Sequence, residues 1–477
     1  MPFEREMGRV LLVILGLLMT VALSAAYWAV VGHVGLLERE DNPRQVLFTQ
    51  AIQRGTIYDA GGTALAQTIA SETGALRRVY PVEAVFGTVG YYSLRYGSGG
   101  VEAFYDPLLS GSDQPPALGQ VLNERVLHRS RVGTDVRLTL DGAVQAAAAE
   151  ALGSRRGAVV VLRVPDGHVL AMVSSPAYDP NRLDADWEAL TVAEGQPFFN
   201  RVLQGSYQAG GTLYTPLMAV MSLVGLDAGA VFEQGDLPIG VDDLTLACAV
   251  APPASRLTLA EAYAYGCPRP FAEVSITLDV PATINALASF QLGRAPAIAG
   301  SVATPPTATP TPGPSATPQV TAETSSFVED VLGQGRLVVN PLGLAHFLSA
   351  VVNRGSAPGL RLLEAVRRPG MDAWEPAPDA ARPVPLLTRD TAAQVRDWML
   401  NNTALHQLVS EDIGSQVAVS YAGAEAQAWF LGFAEYGSQA LVVVVVVENS
   451  QDVGRAALVG QAALKAYTAD GPASGSP

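Results

Sequence analysis

Side chains that could attack a carbonyl or move a proton near neutrality are few in this 477-residue chain. Of its 30 Lys and Arg residues a single one is a lysine, Lys465, close to the C-terminus. Arginine cannot stand in for a lysine base, because a guanidinium stays charged near neutral pH. Two cysteines, Cys248 and Cys267, are 19 positions apart. A thiol nucleophile needs a base beside it, and the five histidines, His33, His128, His168, His346 and His406, are scattered. The same scatter offers no metal-ligand spacing, so neither a metal nor another cofactor is expected. The cysteines then read either as buried free thiols or as one bridge closing a short loop outside the cell.

The elements that must carry these groups divide between membrane and water. Apolar residues make up 49% and charged ones 16%, which suits a globular protein with one added membrane segment. A formal charge of −15 argues against nucleic acid or an anionic lipid surface as the main partner. Residues 10–32 hold no charge and are long enough to span a bilayer as a helix. Arg5 and Arg9 keep the tail, residues 1–9, in the cytoplasm, and Tyr27 and Trp28 suit the interface. A cleaved signal peptide is the rival reading, through the small residues of Leu23-Ser24-Ala25-Ala26. The apolar run is longer than a signal core, which favours an uncleaved anchor. The chain is thus expected to cross the membrane once, with its bulk outside the cytoplasm.

Two extracytoplasmic domains are expected. The first, residues 33–130, contains Arg54-Gly55-Thr56-Ile57-Tyr58-Asp59-Ala60-Gly61-Gly62 followed by Ala64-Leu65-Ala66, a strand, a glycine turn and a strand. Its later part is rich in aromatics and glycine, as a loop-rich module would be. Arg54 and Glu102 read here as a structural ion pair or as solvated charges. The second domain, residues 131–470, alternates strands and helices. Residues 136–140 read as a half-buried strand, 141–152 as an alanine-rich helix, and 158–162 with 169–173 as a hairpin. Helices are expected at 341–352 and 390–400, and a fully buried central strand at 441–447. Thr, Pro, Ala and Ser dominate residues 301–326, which are expected to form an exposed linker inserted in this domain; 471–477 reads as a disordered tail.

Several blocks carry a family likeness. They are Arg54-Gly55-Thr56-Ile57-Tyr58-Asp59, Gly167-His168-Val169-Leu170-Ala171-Met172-Val173-Ser174-Ser175-Pro176-Ala177-Tyr178-Asp179-Pro180-Asn181, Asn340-Pro341-Leu342-Gly343-Leu344-Ala345 and Ala428-Trp429-Phe430-Leu431-Gly432-Phe433-Ala434. In this order the chain resembles a class B penicillin-binding protein, a membrane-anchored transpeptidase of peptidoglycan synthesis. The resemblance implies an α/β (α+β) transpeptidase-like domain whose central antiparallel sheet is flanked by helices. It also implies a small β-rich pedestal and one N-terminal transmembrane helix.

The family's chemistry uses three motifs, S-x-x-K, S-x-N and K-T-G. The first serine is acylated, and its lysine, one helical turn on, can take the serine proton. Here the segment Asn200-Arg201-Val202-Leu203-Gln204-Gly205-Ser206-Tyr207-Gln208-Ala209-Gly210-Gly211-Thr212-Leu213-Tyr214 is similar to the family's without a gap. It places Gly211 at the nucleophile position and Tyr214 at the lysine position. The second motif falls at Gly266-Cys267-Pro268, with Gly266 for serine and Pro268 for asparagine. The third falls at Ser420-Tyr421-Ala422-Gly423, without its lysine. Neither Thr212 nor Ser206 has a lysine three residues later, and Tyr214 is expected to pack into the emptied cleft rather than act as a base.

The resemblance therefore implies no catalytic residue and a pseudoenzyme: a scaffold or regulator in cell-wall synthesis at the bacterial cell membrane. The family's anchor and pedestal commonly partner a SEDS-type glycosyltransferase, so Arg54, Gly55 and Glu102 are read as pedestal and partner-binding residues. Uncrosslinked peptidoglycan stem peptide is a further expected ligand. The competing readings are an active D,D-transpeptidase and a β-lactam sensor, and both depend on acylation.

Overall fold

The computed structural model describes residues 2–27, 52–70, 75–113, 130–299, 327–377, 382–402, 404, 409–410 and 412–467. Residues 28–50, with the end of the apolar run and His33, lie outside the described residues, as do His128, His406, the 301–326 linker and the 471–477 tail. Contacts divide the chain into two units, one of residues 1–53, 69–77 and 116–132, the other of residues 54–68, 78–115 and 133–477. In the first unit α1 (Pro2–Tyr27) runs for 26 residues. Its Val10, Leu12, Ile14, Leu17 and Leu23 are all exposed. Over the described residues, no helix is long and apolar enough to cross a membrane.

The second unit opens with β1 (Ile57–Tyr58) and β2 (Ala64–Ala70), antiparallel across a turn where Gly62 takes φ +86°. Strand β3 (Asp135–Leu138) runs parallel to β1 and so joins the pedestal sheet. Helix α2 (Gly142–Leu152) starts at Asp141, whose side chain accepts from the Ala143 and Val144 amides, and stops at Gly153 in a positive-φ conformation. The hairpin β4 (Gly157–Val164) and β5 (His168–Ser175) follows. A three-ten turn, Gly210–Leu213, leads into α3 (Tyr214–Leu223). Next come α4 (Leu259–Tyr265), α5 (Pro268–Ser275), the short β6 (Ile298–Ala299), α6 (Pro341–Val352) and the short β7 (Leu360–Arg361). Strand β8 (Leu363–Arg367) returns to the pedestal sheet beside β3. The chain closes with α7 (Arg389–Leu400), a meander of β9 (Ile413–Ala422), β10 (Glu425–Tyr436) and β11 (Gln439–Glu448), and α8 (Val453–Lys465).

The main sheet has seven strands in the order β6-β7-β5-β4-β11-β10-β9. Its long strands pair antiparallel, while β6 and β7 add parallel at one edge. The expectation of an antiparallel sheet is thus corrected to a mixed one. Two-residue strands carry almost no periodicity, and their pairing is set by distant connections. The centre follows from the sequence: along β11, Val442, Val444 and Val446 enter one core and Leu441, Val443, Val445 and Val447 the other. Residues of α3 and α6 pack in the first core, residues of α2 and α8 in the second. Lys465, ending α8, therefore belongs to the helix layer on the sheet face opposite α3.

Candidate functional site

Gly211 and Gly266, far apart in sequence, both pack on the edge strand β9 at Gln416, Val417 and Ala418, and Ser420 lies further along that strand beside Gly210. The Gln416 side chain on that strand donates Nε2 to the Gly211 carbonyl at 3.0 Å. A Cβ placed on Gly211 would meet the Ala418 Cβ at 3.2 Å and the Tyr214 ring at 3.3 Å. A Cβ on Gly266 would lie 3.1 Å from the Val417 carbonyl and 2.9 Å from the Ala249 Cβ. One residue before Gly211, Gly210 takes φ +51°, and a Cβ there would fall 2.5 Å from the Ser420 Cα. Small residues let the backbone pack tightly against β9 here.

Each position has a local reason for its shape. Tyr214 is buried and stacked on Phe271, ring centres 4.0 Å apart and planes 6° from parallel. Burial pushes its hydroxyl pKa well above the ordinary phenol value, which keeps it protonated near neutrality. Thr212 is fully buried and turns its hydroxyl back to the Ala209 carbonyl at 2.6 Å. Gly266 caps α4 in the left-handed conformation, φ 62° and ψ 41°. Pro268 then sits in the first turn of α5. The Ser420 hydroxyl is buried, accepting from Trp429 Nε1 and donating to Gln427 Oε1, both at 2.9 Å. Gly423, φ +62°, opens the two-residue turn between β9 and β10.

The two cysteines, whose state the sequence left open, form a disulfide between Cys248 and Cys267. Alongside it the Ala249 and Val250 amides donate to the Gly266 and Tyr265 carbonyls at 3.3 and 3.1 Å. The strip around Ala249 is thereby fastened to the second motif position. Among the described residues no group of three or more His, Cys, Asp and Glu is placed to hold a metal ion. His168 Nδ1 accepts a hydrogen bond from Arg163 Nη2 at 2.6 Å. Burial, helped by Arg163 and Arg361 against Asp166, pushes its pKa down to about 4. His346 meets the Pro358 carbonyl at 3.0 Å.

The pedestal residues form a buried network. Glu102 is 0% exposed and Arg54 4%. The Arg54 guanidinium reaches Glu102 Oε2 at 2.9 Å and Asp106 Oδ1 at 2.7 Å, while Arg78 Nε reaches Glu102 Oε1 at 2.6 Å. Tyr80 donates to the same oxygen at 3.3 Å, and Arg54 lies 4.0 Å above the Tyr92 ring. Burial alone would raise the Glu102 pKa, but Arg78 and Arg54 outweigh it and hold the carboxyl below its ordinary value. Gly55 is dictated by a close approach, because a Cβ there would fall 1.9 Å from the Thr134 carbonyl. Arg54, Gly55 and Glu102 are all buried. They set the shape of the pedestal. Asn181, from the block that opens the second domain in sequence, ties the pedestal to the body by exchanging two 2.9 Å hydrogen bonds with the Tyr80 backbone.

One cluster escaped sequence reasoning altogether. Arg201, 1% exposed, pairs through Nε with Glu448 Oε1 at 2.8 Å across 247 residues of sequence. The Tyr207 hydroxyl donates to the same oxygen at 2.9 Å. Burial and Glu448 hold that phenol far above its ordinary pKa. The sole sequence signal was Arg201 itself, an arginine inside an otherwise apolar and small-residue segment.

A family description of the penicillin-binding protein transpeptidase domain matches residues 157–466, and that of the penicillin-binding protein A dimerisation domain matches residues 54–136. The chain is 28% identical to the peptidoglycan D,D-transpeptidase PbpA of Mycolicibacterium smegmatis, over 98% of this chain and 99% of the relative. It is 27% identical to the protein of the same name from Mycobacterium tuberculosis, over 94% of each. The imipenem acyl-enzyme complex of penicillin-binding protein A from M. tuberculosis superposes with a TM-score of 0.73 at 25% identity, covering 88% of this chain and 99% of that one. The D,D-transpeptidase domain of a peptidoglycan glycosyltransferase from Eggerthella lenta shares the fold, with a TM-score of 0.67 over 87% of this chain and 98% of that one.

Proposed function

We propose, from the premise that this chain belongs to the penicillin-binding protein transpeptidase family, that it serves peptidoglycan synthesis without forming an acyl-enzyme itself. The observation that carries this reading is Gly211. At the position where the family resemblance puts the acylated serine there is no side chain, and the neighbouring hydroxyl of Thr212 is bonded to backbone. Nothing at Tyr214, Gly266, Pro268 or Ser420 supplies the missing base or cation. Conversely, the pedestal keeps a buried ion network in which both Glu102 oxygens are paired.

Loss of chemistry with retention of the pedestal is what a scaffold or regulator requires. On this reading the partner is a SEDS-type membrane glycosyltransferase, and uncrosslinked stem peptide is a second ligand. Helix α1 and the uncharged residues that follow it in sequence anchor the protein in the bacterial cell membrane by one pass, with the bulk outside. The rival reading, an active D,D-transpeptidase, draws on the names of the relatives and on the acyl-enzyme state of the M. tuberculosis protein.

Intact-mass spectrometry after exposure to penicillin separates the two, with an active relative labelled in parallel. The scaffold reading expects an unchanged mass. Addition of one drug molecule, mapped to one residue, would overturn it.

A further inference from the structure

Away from Gly211, several stretches of the larger unit surround a cavity of about 290 Å³. Its walls come from Arg156 ahead of β4, the segment of Arg201 and Ser206, the β9–β10 hairpin with Glu425, and Glu448 with Asn449 at the end of β11. Both oxygens of the Glu448 carboxylate face arginine. Oε1 is held by Arg201 and Tyr207, and Oε2 lies 3.0 Å from Arg156 Nε, off the line of a hydrogen bond. Arg201 is otherwise spent on backbone, donating Nη2 to the Gly195 carbonyl at 2.8 Å. It builds the cavity rather than serving it.

Arg156 differs. Its side chain is 37% exposed, and Glu448 is its single partner among the described residues. The Glu448 charge is already matched by the buried Arg201, so the Arg156 charge is left over, with its two terminal nitrogens free. Glu425 is exposed and makes no ion pair among the described residues, and the Ser206 hydroxyl and Asn449 amide have no side-chain partner there. A guanidinium with both terminal nitrogens free grips a carboxylate at two points. A cavity of this size, at the lower end of ligand pockets, holds a molecule no larger than a capped amino acid or one sugar ring.

We propose that this cavity binds a small carboxylate that also carries amide or hydroxyl groups. Arg156 takes the carboxylate, and Ser206 and Asn449 take the polar body. Two sources share that chemistry, an N-acylated amino acid and a sugar acid. The cavity wall includes Ala422 and Gly423 of the third motif position, but the inference does not depend on whether the chain is acylated by penicillin, because Arg156, Ser206 and Asn449 stand outside all three.

The test is calorimetric titration of the full chain in detergent micelles at low salt. The probes are N-acetylglycine, glucuronate and the neutral N-acetylglycinamide. At least one acid is expected to bind ten-fold or more tightly than the neutral amide, and which acid binds identifies the source. Arg156→Gln is expected to lose that preference, while Arg182→Gln, at an exposed position outside the cavity wall, keeps it. Ser206→Leu puts a larger apolar side chain into the cavity wall and is expected to abolish binding at an unchanged melting temperature, which covers the case in which the arginine variant does not fold. Absence of binding by both acids, equal affinity for the neutral amide, or full binding by folded Arg156→Gln would each overturn the proposal.

Discussion

Tyr214 shows how thoroughly a side chain can be given over to packing. It lies flat on Phe271, and its contribution is the ring, not the hydroxyl. Tyr214→Phe should therefore leave the denaturant midpoint nearly unchanged. Tyr214→Lys buries a charge with no counter-ion and should cost several kcal/mol, on the order of 3–5. The double variant Gly211→Ser/Tyr214→Lys should still show no penicillin adduct by intact mass, since Gly266, Pro268 and Ser420 are unchanged and Ala418 leaves the new serine cramped. In the pedestal, Glu102→Gln leaves Arg78 and part of Arg54 unpaired, and should lower stability at neutral pH by about 3–5 kcal/mol. The pH dependence has a definite sign. The folded pKa of Glu102 is depressed, so its contribution is complete above the unfolded carboxylate value of about 4.3 and is lost as pH falls through the folded value. Melting curves from pH 7 downward should lose less stability below that point in Glu102→Gln than in the parent.

At the scale of elements, the bridge between Cys248 and Cys267 and the left-handed cap at Gly266 act on the same turn. The bridge closes a loop of sequence separation 19. Cys248→Ser/Cys267→Ser should therefore lower unfolding free energy by about 2–4 kcal/mol, measured in denaturant. Gly266→Ser should also destabilise, because serine pays for the positive φ and its Cβ meets Ala249. A serine there thus works against the present backbone. Helix α2 with its Asp141 cap, α6, and the β4–β5 hairpin fall where periodicity and turn residues predict them. Strands β6 and β7, two residues each, had no such pattern to be found by.

At the scale of the molecule, the proposed scaffold role rests on how the chain is held at the membrane. If α1 and the residues after it form an anchor, removing residues 1–32 should move the protein from the membrane to the soluble fraction on ultracentrifugation. Persistence of the truncated protein in the membrane pellet would count against the single-pass reading. The same truncation should weaken co-purification with a SEDS-type partner. Arg54→Ala tests the pedestal's part separately, and because Arg54 is buried, any loss of partner should come with a lowered melting temperature.

The local pattern of the sequence was enough for the long strands and helices, which rest on periods of 2.0 and 3.6 residues, and short contiguous blocks were enough for the family likeness, which implied the α/β class. The single lysine and the glycine at position 211 were equally plain, being facts of composition. Tertiary structure alone decided the rest. It made a disulfide of Cys248 and Cys267, a buried network of Arg54, Arg78 and Glu102, and a parallel edge on an antiparallel sheet. It also joined Arg201 to Glu448 beside a cavity. These are pairings across tens to hundreds of residues, where charge and polarity say that a partner must exist but only the closed fold says which.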